Sequence, residues 1–339
     1  MSEVDRCEPA SIYLLSLILP ITVLATTLAG GRLTIIGLIL PLLVYPLLEL
    51  LLGSRASPLA PRPASRNLEL LLVLHILLQF AILASLLRLT LSAGPVWTTW
   101  VAAVACGFSA GIAGIVSAHE FGHYSRGPRR MLANVMMQAV AYPHFNHEHN
   151  RNHHRYVAME RDGASAPRGR GFWKHVVMTV PLQWLSAHRE MADGRPAFHN
   201  PVLQRTLLTV LLASALLYYD VTAGLVWLLY SAAAIYVLEY TNYIRHYGLH
   251  RADGEAIAAH HSWDSEARWS RWTLLELTRH SAHHLKASEP FWRLQPTEGA
   301  ARLPGYYACF WPCMLPPLWR RMLHPRLDLL EAELRGKAV

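Results

Sequence analysis

Six apolar runs, each about as long as a bilayer core is thick, constrain this chain more than any other feature. They cover about 11–30, 33–52, 68–91, 97–118, 202–219 and 221–243. Hydrocarbon offers no hydrogen-bond partners, so a run of roughly twenty apolar residues crosses it only as a helix that satisfies its own backbone. Composition agrees: 53% of the 339 residues are hydrophobic and 16% are charged, too apolar for an ordinary soluble domain. The expected fold is an all-α integral membrane protein, one domain over 1–339, with six transmembrane helices and a cytoplasmic histidine-rich metal-binding cap.

The charges set the expected orientation. The linker Gly53–Asn67 carries three arginines and three prolines, so it breaks the helical pattern. Residues 119–201 hold eleven Lys or Arg and 244–339 hold thirteen, while the turns at Gly30-Gly31-Arg32 and Asp220 hold almost none. The positive-inside rule places both polar portions and both termini on the cytoplasmic side of a bacterial inner membrane. The net charge of +8 has the same origin. No basic stripe with stacking aromatics is present, so nucleic acid is not an expected partner and the lipid bilayer is.

The first run reads as a span and not a cleaved signal peptide. Its apolar core is long, and Glu3 and Asp5 accompany Arg6 before it. The four cysteines, Cys7, Cys106, Cys309 and Cys313, show no CxxC spacing. A disulfide scaffold, a zinc ribbon and a fused rubredoxin are therefore not expected.

Nine of the nineteen histidines fall in four clusters: His119 and His123; His149, His153 and His154; His246 alone; and His280, His283 and His284. Residues three or four apart share one face of a helix, so each multi-histidine cluster could aim two or three imidazoles at a single point. Neutral imidazole suits iron, copper, zinc and nickel, and nine ligands are too many for one ion. Two metal ions held almost wholly by nitrogen is the natural reading, at one depth just below the membrane surface. Taken singly, a histidine is more often an ordinary surface or core residue, which is the reading for His75, His175, His188, His199 and His324. His144, His147, His250, His260 and His261 read as neighbours of the clusters.

A ligating imidazole usually donates its other N–H to an acceptor. Glu120, Glu148, Asp162, Glu239 and Asp264 are placed to supply one, with Glu160 and Glu276 as further candidates. A substrate dissolved in lipid would reach the metals through an apolar channel. Tyr45, Leu78, Phe80 and Phe108 are candidate wall residues, although ordinary packing explains them as well.

The ordered clusters resemble the membrane-bound alkane 1-monooxygenase family within the fatty acid desaturase-like superfamily. The matching strings are His119-Glu-Phe-Gly-His123, Glu148-His-Asn-Arg-Asn-His-His154, Asn242-Tyr-Ile-Arg-His-Tyr-Gly248 and Arg279-His-Ser-Ala-His-His284. Further likenesses are Asp162-Gly-Ala-Ser-Ala166, His261-Ser-Trp263, Leu303-Pro-Gly-Tyr306 and Pro316-Pro-Leu-Trp-Arg-Arg321, so the resemblance covers roughly 33–327. Four positions depart from the family pattern. Tyr124 stands for lysine, Asn152 for glycine, Arg245 for glutamate and Thr278 for glutamine. The nine histidines survive all four.

The resemblance implies two non-haem iron ions, O2 as co-substrate, and electrons from a separate rubredoxin-type donor with its reductase. The implied reaction is hydroxylation of a terminal or unactivated C–H of an alkane or alkyl-chain substrate. A membrane fatty-acyl desaturase and an aryl-methyl hydroxylase are the near alternatives. His119-Glu-Phe-Gly-His123 alone also fits an intramembrane zinc protease, with Glu120 as base. That reading leaves seven clustered histidines without a task. A metal transporter would want ionisable residues deep in the spans, and only His75 lies there.

Overall fold

The computed structural model describes residues 8–56, 65–192 and 196–337. Cys7, the charges before it, and the three prolines of the 53–67 linker lie outside the described residues. In chain order the main helices are α1 (Ala10–Ala29), α2 (Gly31–Leu52), α3 (Arg66–Ala93), α4 (Trp97–Gly122) and α5 (Pro128–Ala139). Next come α6, which opens at Phe145–Glu148, passes through a π turn at His149–His153 and ends at His154–Tyr156, and α7 (Phe172–Ala192). They are followed by α8 (Pro201–Tyr219), α9 (Val221–His246), α10 (Arg268–Thr273), α11 (His280–Leu285), α12 (Phe310–Met314) and α13 (Pro316–Lys337).

Six of these, α1 to α4 with α8 and α9, are long and apolar enough to cross a membrane. Each sits on one of the six apolar runs. Two overrun them by about a turn: α4 continues past 118 to Gly122, and α9 continues past 243 to His246. The reason is that their polar last turns are buried inside the protein, where helical hydrogen bonds are the available satisfaction for the backbone. The turns match the sequence signals. Gly30 ends α1 at φ 71°, a conformation that glycine adopts without strain. The Asp220 side chain accepts the Ala223 N–H at 2.7 Å and caps α9.

Helix α4 is the centre of the bundle, with 89% of its apolar window buried, against 6% for the peripheral α8. Small residues make this possible, because lipid supplies no hydrophobic drive between helices and close backbone approach must supply the attraction. A Cβ on Gly107 would stand 2.4 Å from the Tyr230 carbonyl oxygen, and one on Gly111 would stand 2.6 Å from Val237 Cβ. So α4 lies directly against α9.

All six spans meet the polar portion at one end of the bundle. Glu8, just before α1, bonds Arg271 and Trp272. The residues after α2 pair with 266–268, and Glu69 near the start of α3 pairs with Arg129. Trp184 of α7 bonds Thr206 in the second turn of α8, the last turn of α4 carries His119, and α9 ends at His246. The alternation of start and finish is that of six crossings with the polar cap on one side.

Within the cap, a two-residue parallel pair joins β1 (Trp263–Asp264) to β2 (Ala301–Arg302). The amphipathic stretch Trp272–Thr278 is helical only at its start. Leu275 and Glu276 take positive φ, and the turn is fixed by Glu276, which bonds Arg271 Nε at 2.8 Å and Nη2 at 2.9 Å. The test of the α4–α9 contact is Gly107→Ala, which should cost about 1–3 kcal/mol. Gly171→Ala, with only ordinary contacts around its Cβ, should change stability by less than about 0.5 kcal/mol. Thermal unfolding of the two variants in one detergent reads the difference, and equal midpoints would refute the close packing.

Candidate metal centre

The nine clustered histidines come together, but not cluster by cluster. Ring nitrogens of His119, His123, His149, His154 and His283 lie within 4.8 Å of one another. Those of His153, His246, His280 and His284 form a second such group. The two groups abut, with the His154 and His284 ring centroids 4.6 Å apart.

Local backbone explains the division. In the α-helical α11, His280 and His284 stand one turn apart and share a group, while His283 points across to the other. In α6 the turn over His149–His153 is a π turn, which adds a residue to the repeat. His149 therefore aligns with His154, their Nε2 atoms 3.0 Å apart, and His153 crosses to the second group. The expectation of one convergence point for each cluster is corrected here. Clusters two and four each straddle both groups.

The donor chemistry tests whether a metal fits. A ring nitrogen offers either one lone pair or one N–H. In the five-membered group, Nε2 contacts run His123–His119 (3.4 Å), His119–His149 (2.8 Å), His149–His154 (3.0 Å) and His154–His283 (3.1 Å). Four contacts would need four protons and four lone pairs, while five nitrogens supply five sites in all. In the second group, His280 Nε2 faces both His246 (3.1 Å) and His284 (3.0 Å), and the buried His153 Nε2 has no hydrogen-bond partner among the described residues. Protons cannot satisfy these atoms, whereas a cation at each convergence point accepts every lone pair at once. The residues fit two metal ions.

Protonation favours the same use. Burial, reinforced by the charge of Arg130, pushes His123 down to about 4. Burial and then mutual repulsion among the rings hold His149, His154 and His284 well below the usual imidazole range. For His280 and His283 the same holds, with Arg245 adding to the repulsion. These rings are neutral at pH 7, the form that ligates metal.

The acids take varied places. Asp162 Oδ2 accepts from His153 Nδ1 at 3.0 Å, and both groups are buried. Asp264 accepts the Ser281 N–H at 2.7 Å, fixing the start of α11, and burial pushes its carboxyl up to about 6. Glu239 binds Tyr142, Gln183 and Asn242, and Glu120 accepts the Phe291 N–H at 2.9 Å. Neither touches a histidine of the two groups. Glu148 is buried with neither oxygen hydrogen-bonded among the described residues; burial first, then the charges of Asp162 and Glu239, raise it well above the carboxylate range. Glu276 serves the Arg271 turn, and Glu160 is exposed.

The second acceptor at the histidines is a backbone atom that side-chain spacing could not reveal: the His261 carbonyl, 3.3 Å from His246 Nδ1. Glu255, His260 and His261 form a third close group. His261 Nδ1 already accepts the Ala258 N–H at 3.0 Å, so its Nε2 carries the proton and is no metal donor.

A narrow, mostly apolar cavity of about 50 Å³ lies between α4 and α9, with His119 and His149 in its wall. Apolar walls with a few convergent polar groups are the character of a small-molecule site. Of the four candidate wall residues, Phe108 lines it. Tyr45 lies one layer behind, its ring 5.1 Å from that of the lining residue Tyr307. Leu78 and Phe80 are half-buried on α3, away from the cavity. The polar lining was less expected: Asn242, Arg245 and Tyr306 face the histidine end. Their signal was Arg245, one of the departures from the family strings.

Comparison with known proteins places these observations. The chain is 34% identical over 246 residues to an alkane 1-monooxygenase of Pseudomonas putida, covering 68% of this chain and 61% of that protein. It is 31% identical over 263 residues to an alkane 1-monooxygenase of Acinetobacter baylyi, covering 71% and 64%. The xylene/toluene monooxygenase hydroxylase component XylM of Pseudomonas putida is 26% identical over 217 residues, covering 62% and 59%. The chain thus spans about three fifths of the length of these relatives. The family model described as fatty acid desaturase matches residues 95–313, which hold all nine clustered histidines, and the chain belongs to that family.

Proposed function

We propose that the chain is a membrane-bound non-haem di-iron monooxygenase that hydroxylates a terminal or unactivated C–H of an alkane or alkyl-chain substrate. The observation that carries this reading is the division of nine buried histidines into groups of five and four at the end of an apolar cavity. The relatives named alkane 1-monooxygenase support the same chemistry. His119, His123, His149, His154 and His283 would hold one iron, and His153, His246, His280 and His284 the other. Iron, when bound, supplies the activation of O2 and the reactivity toward a strong C–H bond.

The chain's own residues position and protect. Asp162 and the His261 carbonyl accept from the outer nitrogens of His153 and His246, which fixes the ring orientations and sharpens the inner lone pairs. Phe108, Ile112 and Val237 line a path from the membrane-spanning region to the histidines and keep water out. The Lys- and Arg-rich cap faces the cytoplasm in this reading. There it attracts an acidic electron carrier of the rubredoxin type, which receives its electrons from a reductase.

The similarity to XylM supports a second reading, hydroxylation of an aromatic methyl group in the same cavity. A zinc protease would need Glu120 free beside a bound water. Glu120 is instead committed to the Phe291 N–H.

Two experiments test the proposal. Iron content and reductant-driven product formation should both collapse in His153→Ala and His283→Ala, one from each group. His324→Ala, whose ring bonds the Tyr247 hydroxyl outside both groups, should match the wild type; equal activity in all three variants would sink the ligand assignment. Ile112→Phe narrows the cavity, so kcat/KM for long-chain substrates should fall about tenfold or more while short ones persist. An unchanged chain-length profile would place the substrate elsewhere.

A further inference from the structure

Arg245 is the one arginine in the cavity wall, and an uncharged hydrocarbon leaves its charge without use. It is only 3% exposed, and it lines the cavity with His119 and His149. Its only hydrogen bond among the described residues runs from Nε to the Tyr306 hydroxyl, 3.1 Å away. Among the described residues its Nη2 is buried with no hydrogen-bond partner and the guanidinium makes no ion pair. The Tyr306 ring lies beneath the guanidinium, 5.3 Å from its carbon, which fixes the plane of the donor fork.

A buried arginine without a counter-ion is costly, because its desolvation is not offset by an opposite charge. Elsewhere this protein avoids the cost: Arg271 and Arg279, equally buried, both meet Glu266 and Glu276. At Arg245 the one acid acting on the charge is Asp264, at a distance and with no direct ion pair, so a carboxylate in contact with the guanidinium would have to come from outside. The surroundings make a cradle for one. Nη2 has its hydrogens uncommitted, and the Tyr306 hydroxyl, which accepts from Nε, keeps its own proton to donate. Tyr306 is held in place by the Tyr240 hydroxyl, which donates to its carbonyl. Beyond these donors the wall turns apolar with Val237, Leu277 and Phe310.

We infer that Arg245 and Tyr306 form a binding site for a carboxylate, and that the substrate of this chain is an alkyl chain ending in that group, not a plain alkane. The guanidinium fork matches a carboxylate geometrically, and the apolar wall takes the chain. The inference rests on the cavity being the substrate site of the proposed oxygenase, and it narrows the class of substrate.

The test uses the full iron-loaded chain in lipid nanodiscs, with dodecanoate, its methyl ester and dodecane as probes. Wild type should bind and oxidise dodecanoate in preference to the other two. Arg245→Gln should weaken dodecanoate binding roughly ten- to hundredfold, the worth of a charge-assisted hydrogen bond. It should leave the binding of dodecane and the iron content unchanged. Tyr306→Phe, which keeps the charge and the ring, should lose several-fold for dodecanoate alone and guards against misfolding of the first variant. Oxidation of dodecane with no binding of dodecanoate, or equal losses for charged and neutral probes in Arg245→Gln, overturns the inference while the oxygenase stands. Binding of dodecanoate that depends on Arg245 in a chain that holds no iron and consumes no O2 supports the site and overturns the oxygenase.

Discussion

Nine imidazole nitrogens face one another at two adjacent points inside this protein, and they cannot satisfy one another. Each has a single lone pair or a single proton, and the contacts among them need more sites than the nitrogens supply. Most of the surrounding architecture holds the rings in that otherwise unfavourable arrangement. Burial favours the neutral ring at His123, His149, His154, His280, His283 and His284, helices α4, α6, α9 and α11 aim the nine side chains, and a cation at each point would turn repulsion into ligation.

The frame that holds them is built in two materials. In the membrane portion it is close backbone contact, with Gly107 and Gly111 bringing α4 against α9 so that His119 and His246 arrive at the same depth. In the cap it is a buried ionic core. Glu276 and Glu266 bind Arg271 and Arg279, and Asp264 fixes the first turn of α11. Such pairs contribute little net stability for what they cost in desolvation, and their use here is specificity of position. Arg279 and Ser281 flank His280, so the network reaches the metal site through the backbone.

Much of this was legible in the amino-acid order, for stated reasons. The six spans follow from run length, because a bilayer imposes one. The nine histidines follow from spacing, because accidental clustering at helical intervals is improbable. Three matters lay beyond that logic. The five-and-four division depends on a π turn at His149–His153, and a repeat that differs by one residue leaves no mark in composition. The acceptor for His246 is the carbonyl of His261, and every residue has a carbonyl. Glu120 and Glu239 sit beside the clusters in sequence but bond to Phe291, Tyr142 and Gln183, since a helix sends neighbouring side chains in different directions. The cavity is a product of how α4 packs on α9, and only Phe108 of the four expected wall residues lines it.

The account stands or falls on two inequivalent, nitrogen-bound irons. The direct measurement is Mössbauer spectroscopy joined to X-ray absorption on the full chain in nanodiscs, reconstituted with isotopically enriched iron. Two sites of equal population with different parameters and a nitrogen-dominated shell are the result expected of the five- and four-histidine groups. A single site, or sulfur scattering from Cys309 or Cys313, would contradict it.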